Sequence, residues 1–252
     1  MEYRFAPRSS IYEHLASGRV IHSRPGAVAF PARLGLELFD RACSALLSRG
    51  REPPFHLYDP VCGGGYLLTT IALLRPAVLA RISASDIDPD ILALGRANLA
   101  LCTKAGLETR RQEIRRLLDL YGKKSHADAL ASVTVLERLR NQQNIPDVGF
   151  EVFQADATNS GAIAGKLGGH SVDIVVADVP YGFGAQWRTE AGVTTNTREQ
   201  IASMATALLP ILNRPAALVV CTADKGKISH DGYRVEARLS AGKRKITMLI
   251  RE

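Results

Sequence analysis

The sequence lacks the features of secreted and membrane proteins. Its 252 residues include no uninterrupted apolar stretch approaching the about 18 residues of a membrane span. The opening segment, MEYRFAPRSS, has no apolar core of the kind that a secretory signal requires. We therefore expect a cytoplasmic protein with no membrane partner.

Cysteine is scarce as well. The chain has Cys43, Cys62, Cys102 and Cys221, and no two of them form a C-x-x-C pair. This spacing predicts neither a disulfide framework nor a zinc site, and no metal is expected. A reducing compartment agrees with this cysteine usage.

Acidic residues are the minority among the charged side chains. The 32 Lys and Arg residues outnumber the 25 Asp and Glu residues, and the net charge is +7. The positive excess lies in residues 1–52 (+3), 104–144 (+4) and 225–252 (+5), whereas 145–224 carries −4. This distribution is typical of a protein with a polyanionic partner, although a solvated basic surface would give the same counts.

Apolar runs alternate with helical patterns, which is typical of a parallel sheet covered by helices. The expected strands are 55–58, 81–85, 151–155, 172–177 and 216–221, followed by an edge hairpin of 233–237 and 245–251. The expected helices are 34–46, 65–79, 89–101 and 201–212, the last of them kinked or ended by Pro210. The sequence therefore predicts an α/β, Rossmann-like fold with a mostly parallel seven-stranded sheet and an antiparallel edge strand.

Two segments extend this fold within what we expect to be one domain over residues 1–252. Residues 1–52 form an N-terminal helical extension, and residues 104–147 form a helical insertion. In the insertion, Ile114, Leu117, Leu118 and Tyr121 make an apolar stripe that is expected to face the core.

A glycine-rich turn follows the first strand, in Asp59-Pro60-Val61-Cys62-Gly63-Gly64-Gly65-Tyr66. Such a turn lets a ligand approach the backbone closely. Asp86 ends the second strand 21 residues after Gly65, where a carboxylate can accept hydrogen bonds from ribose hydroxyls. Asp88 and Asp156, after the second and third strands, are further candidate cofactor contacts. Each acid could instead be a helix N-cap.

The turn does not follow the pattern of nicotinamide-binding proteins. Leu68 stands where the dinucleotide fingerprint has a small residue. Asp59, just before the glycines, suits a ligand with cationic amino and sulfonium groups better than a pyrophosphate. The residues therefore favour S-adenosylmethionine as the cofactor.

The fourth strand ends in Asp178-Val179-Pro180-Tyr181-Gly182. This resembles the [D/N/S]-P-P-[Y/F/W] motif of methyltransferases that act on nitrogen in planar groups, with Val179 in place of the first proline. Tyr181 could stack on a base, and Asp178 could accept the protons of the target nitrogen. A strand-to-turn corner with a core tyrosine would explain the same residues. Asp178, Pro180 and Tyr181 are the candidate catalytic residues, and Asp178 is also a candidate cofactor contact.

Several basic and aromatic residues are candidate RNA contacts. Trp187, the only tryptophan, could pack over the target base, or it could belong to the core. The candidate basic contacts are Arg115, Arg116, Lys225, Lys227, Lys243, Arg244 and Lys245. Each of them could also be an ordinary surface residue.

Over nearly its whole length the chain resembles the AviRa-type ribosomal RNA methyltransferases. The stretches that carry the resemblance are Gly18–Gly26, Ala29–Leu34, Asp59–Thr69, Ala84–Pro89, Asn98–Ala100, and Asp178–Gly182 with Trp187. The resemblance implies methylation of a guanine of 23S rRNA, resistance to orthosomycin antibiotics such as avilamycin, and cofactor contacts at Gly63, Gly65, Asp86 and Asp156. We expect a monomer that acts on naked RNA or on the large subunit.

Three other functions compete with this one. A DNA or protein-amide N-methyltransferase would use the same D-x-P-Y corner. A methyltransferase fold that has lost catalysis could hold RNA alone. A nicotinamide oxidoreductase is disfavoured by Leu68. A methyl-transfer assay with separate RNA, DNA and protein pools would distinguish the possible substrates, and fluorescence titration with S-adenosylmethionine against NADH would test the oxidoreductase.

Overall fold

The computed structural model describes residues 1–25, 29–144, 146–179, 187–189, 192–194 and 196–252. Its strands are β1 (Phe55–Asp59), β2 (Leu79–Asp86), β3 (Gly149–Gln154), β4 (Val172–Asp178), β5 (Trp187–Thr189), β6 (Gly192–Thr194), β7 (Leu212–Thr222), β8 (Arg234–Ala241) and β9 (Arg244–Arg251). Its α-helices are α1 (Ile11–His14), α2 (Ala32–Leu47), α3 (Tyr66–Leu74), α4 (Pro89–Ala100), α5 (Lys104–Tyr121), α6 (Lys124–Gln143), α7 (Ser160–Leu167) and α8 (Thr197–Leu208).

Seven strands form one sheet in the order β3-β2-β1-β4-β7-β9-β8. The pairs from β3 to β7 are parallel, whereas β9 is antiparallel to both β7 and β8. The expected α/β fold and its edge hairpin are therefore confirmed. Strands β5 and β6 were not expected from the sequence, and they pair as a separate two-stranded sheet.

The central strands of the sheet are buried on both faces. Leu57 and Ile174 belong to one hydrophobic cluster, together with α2, α3 and the insertion. Their neighbours Tyr58 and Val175 belong to a second cluster, together with α7 and α8. Because successive side chains of a strand point to opposite faces, the two clusters cover opposite faces of the sheet.

The ends of the helices follow from local sequence. Asp88 caps α4 by accepting a hydrogen bond from the N–H of Asp90, and Pro89 occupies the first helical position. Gly65 precedes α3 with a φ of 72°, a left-handed conformation that glycine adopts without a steric penalty. Pro210 lies in a short 3-10 turn after α8, so the helix ends there as expected.

The insertion forms the helices α5 and α6, and its apolar stripe is only partly buried. Ile114 is buried and Leu117 and Leu118 are half-buried, but Tyr121 is 62% exposed. The expectation that Tyr121 faces the core was wrong. Tyr121 is the last residue of α5, where the chain turns into α6, and its ring packs edge-on against His126 instead.

The N-terminal extension is fixed by side chains from the rest of the fold. The buried Glu37 of α2 accepts hydrogen bonds of 2.7–2.9 Å from the backbone N–H groups of residues 4–6. Further along, the Tyr66 hydroxyl donates to the carbonyl of Leu15, and the guanidinium of Arg110 donates to that of Val20. These bonds bring residues 17–24 to the carboxyl edge of the sheet.

Candidate active site

The glycine-rich turn is held open by hydrogen bonds to the end of β2. Asp86 Oδ2 accepts a 2.9 Å hydrogen bond from the N–H of Gly63, and the N–H of Cys62 donates to the carbonyl of Ser85. Gly63 has a φ of 51°, and no atom lies within 4 Å of the position that a Cβ would occupy there. At Gly65 a Cβ would lie 3.3 Å from the backbone of Gly95 in α4. The turn therefore packs closely against a helix at Gly65 and leaves open space at Gly63.

A cleft of about 240 Å³ lies against this turn. It is lined by Asp59, Gly63 and Asp178, three residues that the sequence predicts for one site. They lie together because β1 and β4 are adjacent parallel strands whose carboxyl ends meet at one edge. The N-terminal extension supplies the opposite wall through Ser17, His22, Ser23, Arg24, Ala29 and Phe30.

Asn98 connects that wall to the glycine turn. Its buried side chain accepts a 2.7 Å hydrogen bond from the N–H of His22. The Asn98 amide also donates to the carbonyls of His22, at 3.1 Å, and Gly64, at 2.8 Å. Spacing and composition gave no sign of a role for Asn98 or His22. The only signal was that both lie in stretches shared with a known family.

The acids of the site disfavour one another's ionised form. Burial raises the pKa of Asp59 well above its usual value, and the carboxylates of Asp86 and Asp178 raise it further, against a lowering hydrogen bond from the N–H of Val61. Burial also raises the pKa of Asp86. A cationic ligand would relieve this repulsion, as expected if Asp59 faces amino or sulfonium groups.

Two cysteines lie beside the acids. Burial and the neighbouring carboxylates raise the pKa of the Cys62 and Cys221 thiols well above the usual range. Both remain protonated at neutral pH, and a protonated thiol is a poor nucleophile. The site is therefore not arranged for covalent catalysis by either cysteine.

The remaining candidate cofactor acids lie at the ends of their strands. Asp88 is the N-cap of α4, the alternative role that the sequence left open. Asp156 is buried after β3, and its Oδ1 accepts hydrogen bonds from the N–H and hydroxyl of Thr158. Neither residue lines the cleft beside the glycine turn.

The candidate catalytic corner begins at Asp178, whereas Pro180 and Tyr181 lie outside the described residues. Val179, which replaces a proline of the motif, is buried, and its N–H donates to the carbonyl of Cys221. Proline has no N–H and could not make this bond, which joins the corner to the end of β7.

The candidate RNA contacts differ in where the structure places them. Arg115, Arg116, Lys225, Lys227 and Lys243 are exposed, whereas Lys245 is half-buried and donates to the hydroxyl of Ser240. Trp187 is 4% exposed within the second hydrophobic cluster, so its placement favours a packing role over contact with RNA. Arg244 lies beside Asp178 rather than on the open surface. In the part of the chain that is described, no helix is long and apolar enough to cross a membrane.

Comparison with known proteins gives one family over almost the whole chain. Residues 1–244 match the family described as rRNA methyltransferase AviRa. A 23S rRNA (guanine(2535)-N(1))-methyltransferase of Streptomyces viridochromogenes is 34% identical over 249 residues, which cover 98% of this chain and 95% of that protein.

Solved structures give the same result. The rRNA methyltransferase aviRa from S. viridochromogenes superposes with a TM-score of 0.86 at 32% identity, over 99% of this chain and 96% of that one. TrmN from Thermus thermophilus superposes with a TM-score of 0.52 at 12% identity, over 96% of this chain and 52% of that one, and shares the fold alone.

Proposed function

The chain belongs to the AviRa family of rRNA methyltransferases, and from this premise we propose that it transfers a methyl group from S-adenosylmethionine to N1 of a guanine in 23S ribosomal RNA. The observation that carries this proposal is the convergence of Asp59, Gly63 and Asp178 on one cleft. The same proposal includes resistance to orthosomycin antibiotics and action as a monomer. Its substrate is either naked RNA or the large subunit.

The cleft suits the methyl donor in shape and charge. The open space at Gly63 admits a ligand next to the backbone, and a bound cation would favour ionisation of the buried Asp59, whose pKa is raised. In this proposal Asp86 faces the ribose, Gly65 belongs to the turn that contacts the donor, and Asp156 lies toward the adenine. When bound, S-adenosylmethionine supplies a methyl group made electrophilic by its sulfonium.

The acceptor side is built around Asp178. Its carboxylate lies at the end of β4 and lines the same cleft as Asp59. An ionised carboxylate can accept the proton of guanine N1, which leaves a lone pair on that nitrogen for the methyl carbon. Pro180 and Tyr181 complete the corner in this proposal, with the tyrosine ring stacked on the guanine so that its plane is fixed.

Methylation of defined RNA tests the function. Purified protein, labelled methyl donor and either 23S rRNA or large subunits should give one methylated guanine. Mass spectrometry of nuclease fragments locates that guanine, and chromatography of the released nucleoside against a 1-methylguanosine standard identifies N1 as the methylated atom. Asp178→Asn should lower the single-turnover rate by about a hundredfold or more with nearly unchanged donor affinity, because the proton acceptor matters most in the transition state. Asp224→Asn is the matched control, because Asp224 pairs with Arg198 on the surface.

Donor binding is tested separately by calorimetry. Asp86→Ala should weaken S-adenosylmethionine by about tenfold to a hundredfold, since it removes a charged acceptor worth about 1.5–3 kcal/mol. Asp90→Ala, at an exposed position of α4, should leave affinity unchanged. Methyl transfer to DNA or protein alone, or equal rates for Asp178→Asn and the wild type, would contradict the proposal.

A further inference from the structure

Arg244 is the first residue of β9, directly after the two-residue turn of the β8–β9 hairpin, and it lies next to the acceptor side of the cleft. Its Nε is 3.9 Å from Oδ1 of Asp178. Its guanidinium carbon lies 5.1 Å from the centre of the Phe30 ring, within the range of a cation–π contact. Because Phe30 and Asp178 both line the cleft, Arg244 connects the N-terminal wall to the end of β4.

Lys245, the residue after Arg244, has a purely structural role in this hairpin. Lys245 pairs with the end of β7, and its ammonium donates across the hairpin to the hydroxyl of Ser240. Successive residues of a strand point to opposite faces. Lys245 therefore ties the two strands of the hairpin together, while Arg244 is directed to Asp178.

The charged groups around Asp178 determine how strongly the Arg244 guanidinium affects its ionisation. In the described part of the chain, the ionisable groups that interact with Asp178 include Asp59 on β1, Cys221 on β7 and Arg244 on β9. A carboxylate beside another carboxylate is harder to ionise, whereas a cation within about 4–6 Å favours ionisation. Arg244 therefore opposes the effect that Asp59 has on Asp178.

We propose that Arg244 is a positioning residue for methyl transfer, which acts through Asp178 by keeping that carboxylate ionised and oriented toward the guanine. The inference rests on the proposed function. The Asp178 carboxylate takes the N1 proton, and the freed nitrogen lone pair forms a bond to the methyl carbon. The carbon–sulfur bond breaks, its electron pair stays on sulfur, and the sulfonium becomes a neutral thioether. Charge is conserved because one cation and one carboxylate are consumed together.

The pH dependence of the single-turnover rate tests this inference. The acid limb of that profile reports the ionisation of the proton acceptor in the complex. Arg244→Met removes the charge but keeps an unbranched stem, and it should move the acid limb to higher pH by about one pH unit. At a pH on the limb, the rate should fall about tenfold. Arg244→Lys, which keeps the charge, should retain most of the wild-type profile.

Three controls distinguish a shift of the acid limb from a general loss of folding or of donor binding. Lys245→Gln removes one charge from the same hairpin and should leave the acid limb in place. Thermal melting and donor affinity without RNA should be close to wild type in Arg244→Met. Arg244→Gln is a second neutral variant, in case the methionine disturbs packing.

The pH profiles of the variants either support or overturn a positioning role for Arg244. A shifted limb in the neutral variants, with the wild-type limb in Arg244→Lys and Lys245→Gln, supports the inference. Superimposable profiles, or loss of folding in both neutral variants, would overturn it, since Arg244 would then be inert or merely structural. If the wild type does not methylate guanine N1 at all, the proposed function fails instead.

Discussion

Asp59 is the residue whose charge should depend most on the methyl donor. Its pKa is raised by burial and by neighbouring carboxylates. A bound cation would favour the ionised form, so binding should release a proton wherever Asp59 is protonated in the free protein. Affinity for S-adenosylmethionine should therefore fall as the pH drops below the raised pKa of Asp59, and level off above it.

Calorimetry across a pH series measures this linkage, and buffers of different ionisation enthalpy count the released protons. Asp59→Asn should bind the donor more weakly, with a flatter pH dependence, because no carboxylate remains there to titrate. A wild-type affinity that does not change with pH would place the donor's cationic groups away from Asp59.

Some site residues could be predicted from the sequence and others could not. Asp59, Gly63 and Asp178 were predicted as one site because strand ends of a parallel sheet meet at one edge. Arg244 was predicted only as a candidate RNA contact, because its proximity to Asp178 depends on how β9 pairs with β7, which local sequence does not specify.

At the scale of elements, the N-terminal extension acts as a wall held by a few polar contacts. Asn98 is buried, and its side chain makes three hydrogen bonds that link His22 to the glycine turn. Asn98→Ala should leave the N–H of His22 and two carbonyls unpaired, at a cost of about 2–4 kcal/mol. Melting temperature and donor affinity should fall together, because the same contacts shape the cleft.

Asn98→Asp is the informative companion variant. An aspartate could still accept from the N–H of His22, but it would present an oxygen to the two carbonyls that now accept from the amide. It should therefore be at least as destabilising as alanine. Normal donor affinity in a destabilised Asn98→Ala protein would show that the extension stabilises the fold without shaping the site.

The elements themselves were predictable where one local signal dominates. The continuous apolar run of β4 predicts a strand buried on both faces, and Pro210 ends α8. The prediction that Tyr121 faces the core was wrong. Helical periodicity indicates which face of a helix is apolar, but it does not indicate how far the core extends along the helix. The pairing of β5 with β6 had no local signal beyond short polar segments.

At the scale of the whole molecule, the basic residues can be sorted by where the fold places them. Lys225 and Lys227 follow β7 and are exposed at the same edge of the sheet as the cleft. Arg115 and Arg116 are exposed on α5. Lys166 and Arg214 are exposed near the opposite edge, at the end of α7 and the start of β7.

From the positions of these basic residues we predict which of them contact RNA, which the net charge alone does not indicate. Each phosphate neutralised by a protein cation releases counterions and steepens the dependence of log K on log [salt]. Lys225→Gln with Lys227→Gln should flatten that slope by about one to two units, and Arg115→Gln with Arg116→Gln should do the same. The matched double change of Lys166 and Arg214 to Gln removes equal charge from the far edge and should leave the slope unchanged. Filter binding of 23S rRNA over a salt series measures all three. If all three doubles weaken binding equally, RNA responds only to total charge, and the carboxyl edge is not its binding surface.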